Sequence, residues 1–176
     1  MCLRQIHVAR PRAQRRAHGY REDDAPVVVV RVGVGDLDGE LPAVLAPRVR
    51  SVLERFPTVM VALDHLAVPR LSGGPPYDGA QPLFDLVRFP DLYLKFSSVN
   101  LYAAARGKSN AREFFSRLLD CFGASRMMWG SNFPTTNDRS LKEQYDLARN
   151  ELSFVPETDQ RRLFGETALT LWPMLR

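Results

Sequence analysis

The sequence predicts an α/β fold with parallel strands. Short β-branched or uniformly apolar runs alternate with segments of helical period along most of the chain. The candidate strand ends fall near residues 30, 65, 97 and 132, at steps of 35, 32 and 35. Eight β/α units in a barrel of about 250 residues give about 31 residues each. A doubly wound sheet has almost the same spacing, so both architectures are open at this point.

The first element is Val27–Val32, a β-branched run broken by Arg31 and followed by Gly33, Gly35 and Asp36. Val49, Val52, Leu53 and Phe56 then recur at helical spacing. Pro42 and Pro47 are expected to confine that helix to roughly 48–56. Val59–Leu63 is a buried-strand pattern ending in Asp64-His65. A Pro/Gly loop follows, then a short helix around 80–88.

The run Leu92–Val99 is the third strand. Asn110 caps a helix carrying Phe114, Phe115, Leu118, Leu119 and Phe122, with Gly123 as its stop. Arg126–Gly130 is the fourth strand and closes on Ser131-Asn132-Phe133-Pro134. Ser140 and Glu143 make a capping box for a further helix. A last helix runs from about Thr158 to Leu171.

Composition narrows the function classes. The chain has 176 residues, 45% hydrophobic and 25% charged, ordinary values for one globular domain. No apolar run approaches the roughly 20 residues of a membrane span. Two cysteines, Cys2 and Cys121, exclude a disulfide framework, and a cytoplasmic setting is expected. The net charge of +4 is uneven. Residues 1–21 hold six arginines and no acid, whereas the rest has 18 basic and 20 acidic residues. Residues 1–26 read as a flexible Arg-rich tail and 27–176 as the folded domain. The tail carries no recognisable nucleic-acid module, so nucleic-acid binding is not favoured.

Ligands of parallel α/β folds sit at the carboxyl ends of strands. Three strand ends carry polar groups. His65 shares the two-residue period of Val59, Val61 and Leu63, and its imidazole suits metal binding or proton transfer. A histidine bonded to a neighbouring carbonyl is the structural alternative. Asp64 points to the other face and is expected to brace a loop. Lys95 and Ser97 share a face with Tyr93, opposite Leu92, Leu94 and Phe96. If helices pack on the apolar face, Lys95 and Ser97 point inward, where a lysine holds a carboxylate or a developing oxyanion. The alternative is a lysine reaching to solvent. Asn132 follows Gly130 and precedes Pro134. It can orient a water or a substrate but is no strong base; a turn-stabilising role is the alternative.

Val61–His65, Tyr93–Ser97, Met128–Pro134 and Phe164–Pro173 together resemble the amidohydrolase-related family of barrel hydrolases and lactonases. The motifs stand in the family's order over about 27–173. The resemblance implies a partial (β/α)8 barrel of about four C-terminal units. It implies a hydrolase acting on a lactone or similar carboxylated ring compound. His65 and Asn132 would be catalytic, with His65 also the candidate metal ligand, and Lys95 and Ser97 would bind the small-molecule substrate. Two departures are plain. The family's usual Asp after the last strand is Asn132, and no His-x-His pair precedes it, since His7 and His18 stand alone. A divalent metal such as zinc is therefore expected to bind weakly or not at all, because catalytic zinc takes three protein ligands. The alternative reading is a degenerate, inactive member needing a partner half. Open sheet edges would then favour self-association.

Overall fold

A computed structural model describes residues 27–30 and 41–176. The expected tail at 1–26 and the Gly33-x-Gly35 segment lie outside the described residues. Four strands, β1 (Val27–Val30), β2 (Met60–Leu63), β3 (Leu92–Phe96) and β4 (Met127–Trp129), form one sheet. Their order is β1-β2-β3-β4 and every pairing is parallel. Val29 pairs with Ala62, Ala62 with Tyr93, and Lys95 with Met128. A doubly wound sheet reverses its strand order at a switch point, whereas barrel units follow one another around the sheet. The uninterrupted order therefore selects a partial barrel.

Helices connect the strands. They are α1 (Leu41–Arg55), α2 (Gln81–Phe84), α3 (Ser98–Ala104), α4 (Ala111–Phe122), α5 (Leu141–Glu151), α6 (Glu157–Arg161) and α7 (Thr167–Leu171). A π-helical segment, Arg162–Glu166, joins α6 to α7. No helix among the described residues is long and apolar enough to cross a membrane.

Two expectations fail here. The first helix begins at Leu41 and runs through Pro47 rather than starting at 48. Pro47 forfeits one backbone donor, but Ala46, Val49 and Leu53 bury against the core on both sides of it. Tertiary burial overrides the local break. The third strand stops at Phe96, and Ser98–Ala104 is a helix that the β-branched Val99 concealed. Ser97 is its extended N-cap residue, and Asn100 accepts the Ser97 N–H at 3.0 Å.

The strand period sorts the side chains into two faces. Val61, Leu63, Leu92, Leu94, Phe96 and Met127 face the helices and form the main core with α1 and α4. Phe114 stands at its centre, with ring centroids 5.3 Å from Tyr77 and 5.6 Å from Phe115. Trp129, Tyr145 and Phe164 make a second aromatic group, with pairwise centroid distances of 5.4–6.0 Å. Two of the sequence motifs thus meet in space.

The opposite face carries Val27, Val29, Met60, Ala62, Tyr93 and Met128. This face would be uncovered in a bare half-barrel. Instead Leu171, with Ala168 and Trp172, packs on it, and Ala62, Met128 and Leu171 are all buried. Thr167 helps to seat this C-terminal helix by donating to the Ala124 carbonyl at 3.1 Å.

Candidate active site

The polar residues gather at the carboxyl ends of β2, β3 and β4. Strand β2 ends at Leu63, and the chain then turns sharply. His65, Leu66, Ala67 and Val68 have φ of 52°, 55°, 58° and 51°. Four successive left-handed residues without a glycine are costly, roughly 1–2 kcal/mol each. Such strain persists only where the surroundings enforce it. Here Asp64, His65, Leu66 and Ala67 are all buried. The Val68 N–H donates to the His65 carbonyl at 2.8 Å, and the His65 N–H donates to Asp64 Oδ1 at 3.0 Å.

This turn corrects the strand-period reading. The two-residue alternation ends at Leu63, so Asp64 and His65 are not held on opposite faces. Asp64 braces the turn as expected, but it also belongs to the site. Lys95 Nζ lies 2.7 Å from Asp64 Oδ1, and His65 Nε2 lies 3.6 Å from the same oxygen.

His65 is almost fully buried. Its Nδ1 lies 2.8 Å from Ser97 Oγ. Burial holds the imidazole pKa below its ordinary value. The Asp64 carboxylate opposes that effect, the Lys95 ammonium adds to it, and the Asn132 side chain favours the protonated form. A neutral ring is the form such surroundings favour near neutral pH.

Ser97 was expected to meet substrate. It is fully buried, and its hydroxyl is turned to the imidazole. Lys95 does lie on the inward face with Tyr93, as the strand period predicts, and its side chain stays partly exposed. Gly130 is what admits it. A Cβ on Gly130 would stand 2.3 Å from Lys95 Cε, so the lysine stem passes over bare backbone.

Asn132 is itself left-handed, with φ of 59°. Its Nδ2 donates to Thr136 Oγ1 at 2.8 Å, and its carbonyl accepts the Thr136 N–H at 2.9 Å. These contacts are those of a turn-stabilising residue.

The sequence reading missed Asn100 and Gln144. Asn100 is buried and donates to the His65 carbonyl at 2.7 Å. Gln144, also buried, donates to the Thr136 carbonyl at 2.7 Å and accepts from Ser98 Oγ at 3.3 Å. The Ser97-x-x-Asn100 spacing was the available signal for the first. No motif marks the second, which joins the loop before its own helix to Ser98, 46 residues away.

The comparisons with known proteins agree with this architecture. The chain belongs to the amidohydrolase family, whose sequence model matches residues 5–174. It is 30% identical over 97 residues to an L-fucono-1,5-lactonase of Burkholderia ambifaria, a match covering 54% of this chain and 32% of that protein. Among solved structures it resembles a zinc-bound amidohydrolase from Burkholderia multivorans. That likeness has a TM-score of 0.62 and 22% identity, over 84% of this chain and 52% of the other. A Pseudomonas putida structure assigned as a 2-pyrone-4,6-dicarboxylic acid hydrolase gives a TM-score of 0.60 and 19% identity, over 86% and 63%. The chain thus spans about a third of the length of the lactonase and about half that of the zinc-bound relative.

The described residues do not fit a zinc ion. His65 and Asn132 offer two neutral donors. The one nearby carboxylate, Asp64, already carries the Lys95 ammonium. Among the described residues no three His, Cys, Asp or Glu side chains converge. Catalytic zinc is held by three protein ligands and a water.

Proposed function

We propose that the chain supplies one side of a hydrolase active site for a lactone or similar carboxylated ring compound. The observation that carries this reading is the buried His65, held between Ser97 and the Asp64–Lys95 pair at the strand ends. Hydrolysis adds a water oxygen to the acyl carbon and breaks the ring C–O bond. In this reading His65 moves the proton between the water and the departing ring oxygen. The Asn132 side chain positions the water. Lys95, still partly exposed, keeps donors for a substrate carboxylate or the developing oxyanion. No step is assigned to a metal, and the cytoplasmic setting is part of the same proposal.

The test is a panel of sugar-acid and pyrone lactones with the purified chain and its His65→Ala variant. Hydrolysis lost in the variant, with a cooperative melt kept, supports the mechanism. Hydrolysis that survives unchanged overturns it.

A second reading has its own observation. Among the described residues, four strands in an open order leave edges at β1 and β4, and the chain covers 52% of the zinc-bound relative. An inactive member that self-associates, or needs a partner half, would bury such edges. Light scattering on a sample with no lactone turnover separates the two. A defined oligomer favours this second reading, and a monomer that hydrolyses lactones removes it.

A further inference from the structure

Asn100 stands between the two strand ends that make the site. It is 1% exposed and uses both halves of its amide. The oxygen accepts the Ser97 N–H at 3.0 Å, at the end of β3. The nitrogen donates to the His65 carbonyl at 2.7 Å, beyond the end of β2. These two backbones belong to the two residues whose side chains meet, Nδ1 of His65 against Oγ of Ser97 at 2.8 Å. The amide therefore closes a ring of contacts: His65 backbone, Asn100 side chain, Ser97 backbone, Ser97 hydroxyl, imidazole.

The His65 carbonyl matters for a second reason. It also accepts the Val68 N–H and so closes the left-handed turn. The two local bonds of the turn, Val68 N–H to the His65 carbonyl and His65 N–H to Asp64 Oδ1, work against the cost of four non-glycine left-handed residues. The Asn100 nitrogen grips the turn at the carbonyl of its first residue. Loss of that donor frees the turn to relax, and relaxation carries the imidazole away from Ser97.

We propose that Asn100 is a positioning residue for His65, clamping the left-handed turn after β2 to the end of β3 so that Nδ1 stays on Ser97 and Nε2 is left for the reacting groups. The proposal rests on the reading of His65 as the proton-moving group. It concerns the ring's geometry, and its test uses no turnover.

The experiment is nitrogen NMR of the imidazoles in the full chain. The sequence has three histidines, and His65→Gln identifies the His65 signals by their loss. A clamped ring shows one tautomer, with distinct protonated and unprotonated nitrogens. The informative variant is Asn100→Asp. It keeps the acceptor for the Ser97 N–H, so the cap of α3 is preserved, and it removes the donor to His65. The expected result is a single tautomer in the wild type and an averaged one in a variant that still melts cooperatively. A folded variant with the wild-type pattern overturns the proposal. An averaged His65 in the wild type overturns it too, whether or not the variant folds. Wild-type side-chain amide exchange gives a further check. Slow exchange of the Asn100 amide protons is expected, and exchange as fast as an exposed amide's overturns the clamp. A confirmed clamp without lactone hydrolysis would sink the catalytic reading alone.

Discussion

Lys95 passes over Gly130 to reach Asp64, with Nζ 2.7 Å from Oδ1 and no room for a side chain beneath its Cε. Adjacent residues of three strand ends are fitted to one ion pair. The carboxylate is 9% exposed and the lysine side chain 28%. The pair is therefore shielded on its acidic side and open on its basic side.

Removing the lysine leaves a nearly buried carboxylate with a weaker set of partners. Lys95→Met is expected to destabilise the fold by about 2–3 kcal/mol, within the range for losing a charged hydrogen-bond partner. Urea melts measure this. Lactone hydrolysis should fall on the order of 10²-fold, the usual effect of losing one oxyanion donor. An unchanged rate would remove Lys95 from the chemistry.

Gly130→Ala tests the same contact from the other side. The new methyl meets the flexible lysine stem, not backbone, so stability should change by less than about 1 kcal/mol. Lys95 must shift while keeping its charge, so hydrolysis should drop, but less than in Lys95→Met. In the Lys95→Met background the alanine should add almost nothing. Additive losses in that double-mutant cycle would show that the two residues act separately.

His65 gives the fold a pH dependence. Its native pKa lies below the ordinary 6.5, chiefly through burial, with Lys95 lowering it further and Asp64 and Asn132 opposing. As pH falls below about 6.5, the unfolded chain takes up this proton before the native one does. The unfolded state then binds more protons, so stability is lost on acidification towards the native pKa. His65→Gln should flatten that part of a melting-temperature profile recorded between about pH 7.5 and pH 5.5. A variant with the wild-type slope would assign the effect to other groups.

The left-handed turn predicts an inverted response to glycine. In an ordinary helix Ala→Gly costs about 1 kcal/mol. Ala67 sits at φ 58°, where glycine is unstrained. Ala67→Gly is expected to leave stability unchanged or raise it by up to about 1 kcal/mol. A loss of that size in chemical denaturation would argue against the turn.

The helix caps make a control that should behave normally. Ser140 accepts the Glu143 N–H at the start of α5, and Asn110 does the same for Glu113 at the start of α4. Replacing either by alanine should cost about 1 kcal/mol, measured by thermal melts.

What the sequence made legible follows from the range of the forces involved. Caps such as Asn110 and Ser140, and the apolar stripe of Phe114, Phe115 and Leu118, are local patterns, and they appear as read. The strand ends were legible too, because each short apolar run has a polar residue at or just beyond its end: Lys95 next to last in β3, His65 two residues after β2 and Asn132 three after β4. Pro47 misled, since burial on both sides of it outweighed one missing hydrogen bond. Asp64 and Ser97 were placed by extending the strand period past the strand, where a left-handed turn and a helix cap had already replaced it. Gln144 was illegible because its partners, Ser98 and the Thr136 carbonyl, lie in other elements.

Helix α3 has a consequence for how the site can respond to a ligand. Its Asn100 holds the turn bearing His65. On the same helix, Ser98 meets Gln144, which grips the Thr136 carbonyl, and the Tyr102 hydroxyl donates to Asp138 at 2.8 Å. One seven-residue bracket therefore carries both the imidazole and the loop of Asn132. The spacing between these two groups is set before any ligand arrives, like the gap of a fixed calliper. Accommodation of ligands of different size then falls to segments that this bracket does not hold.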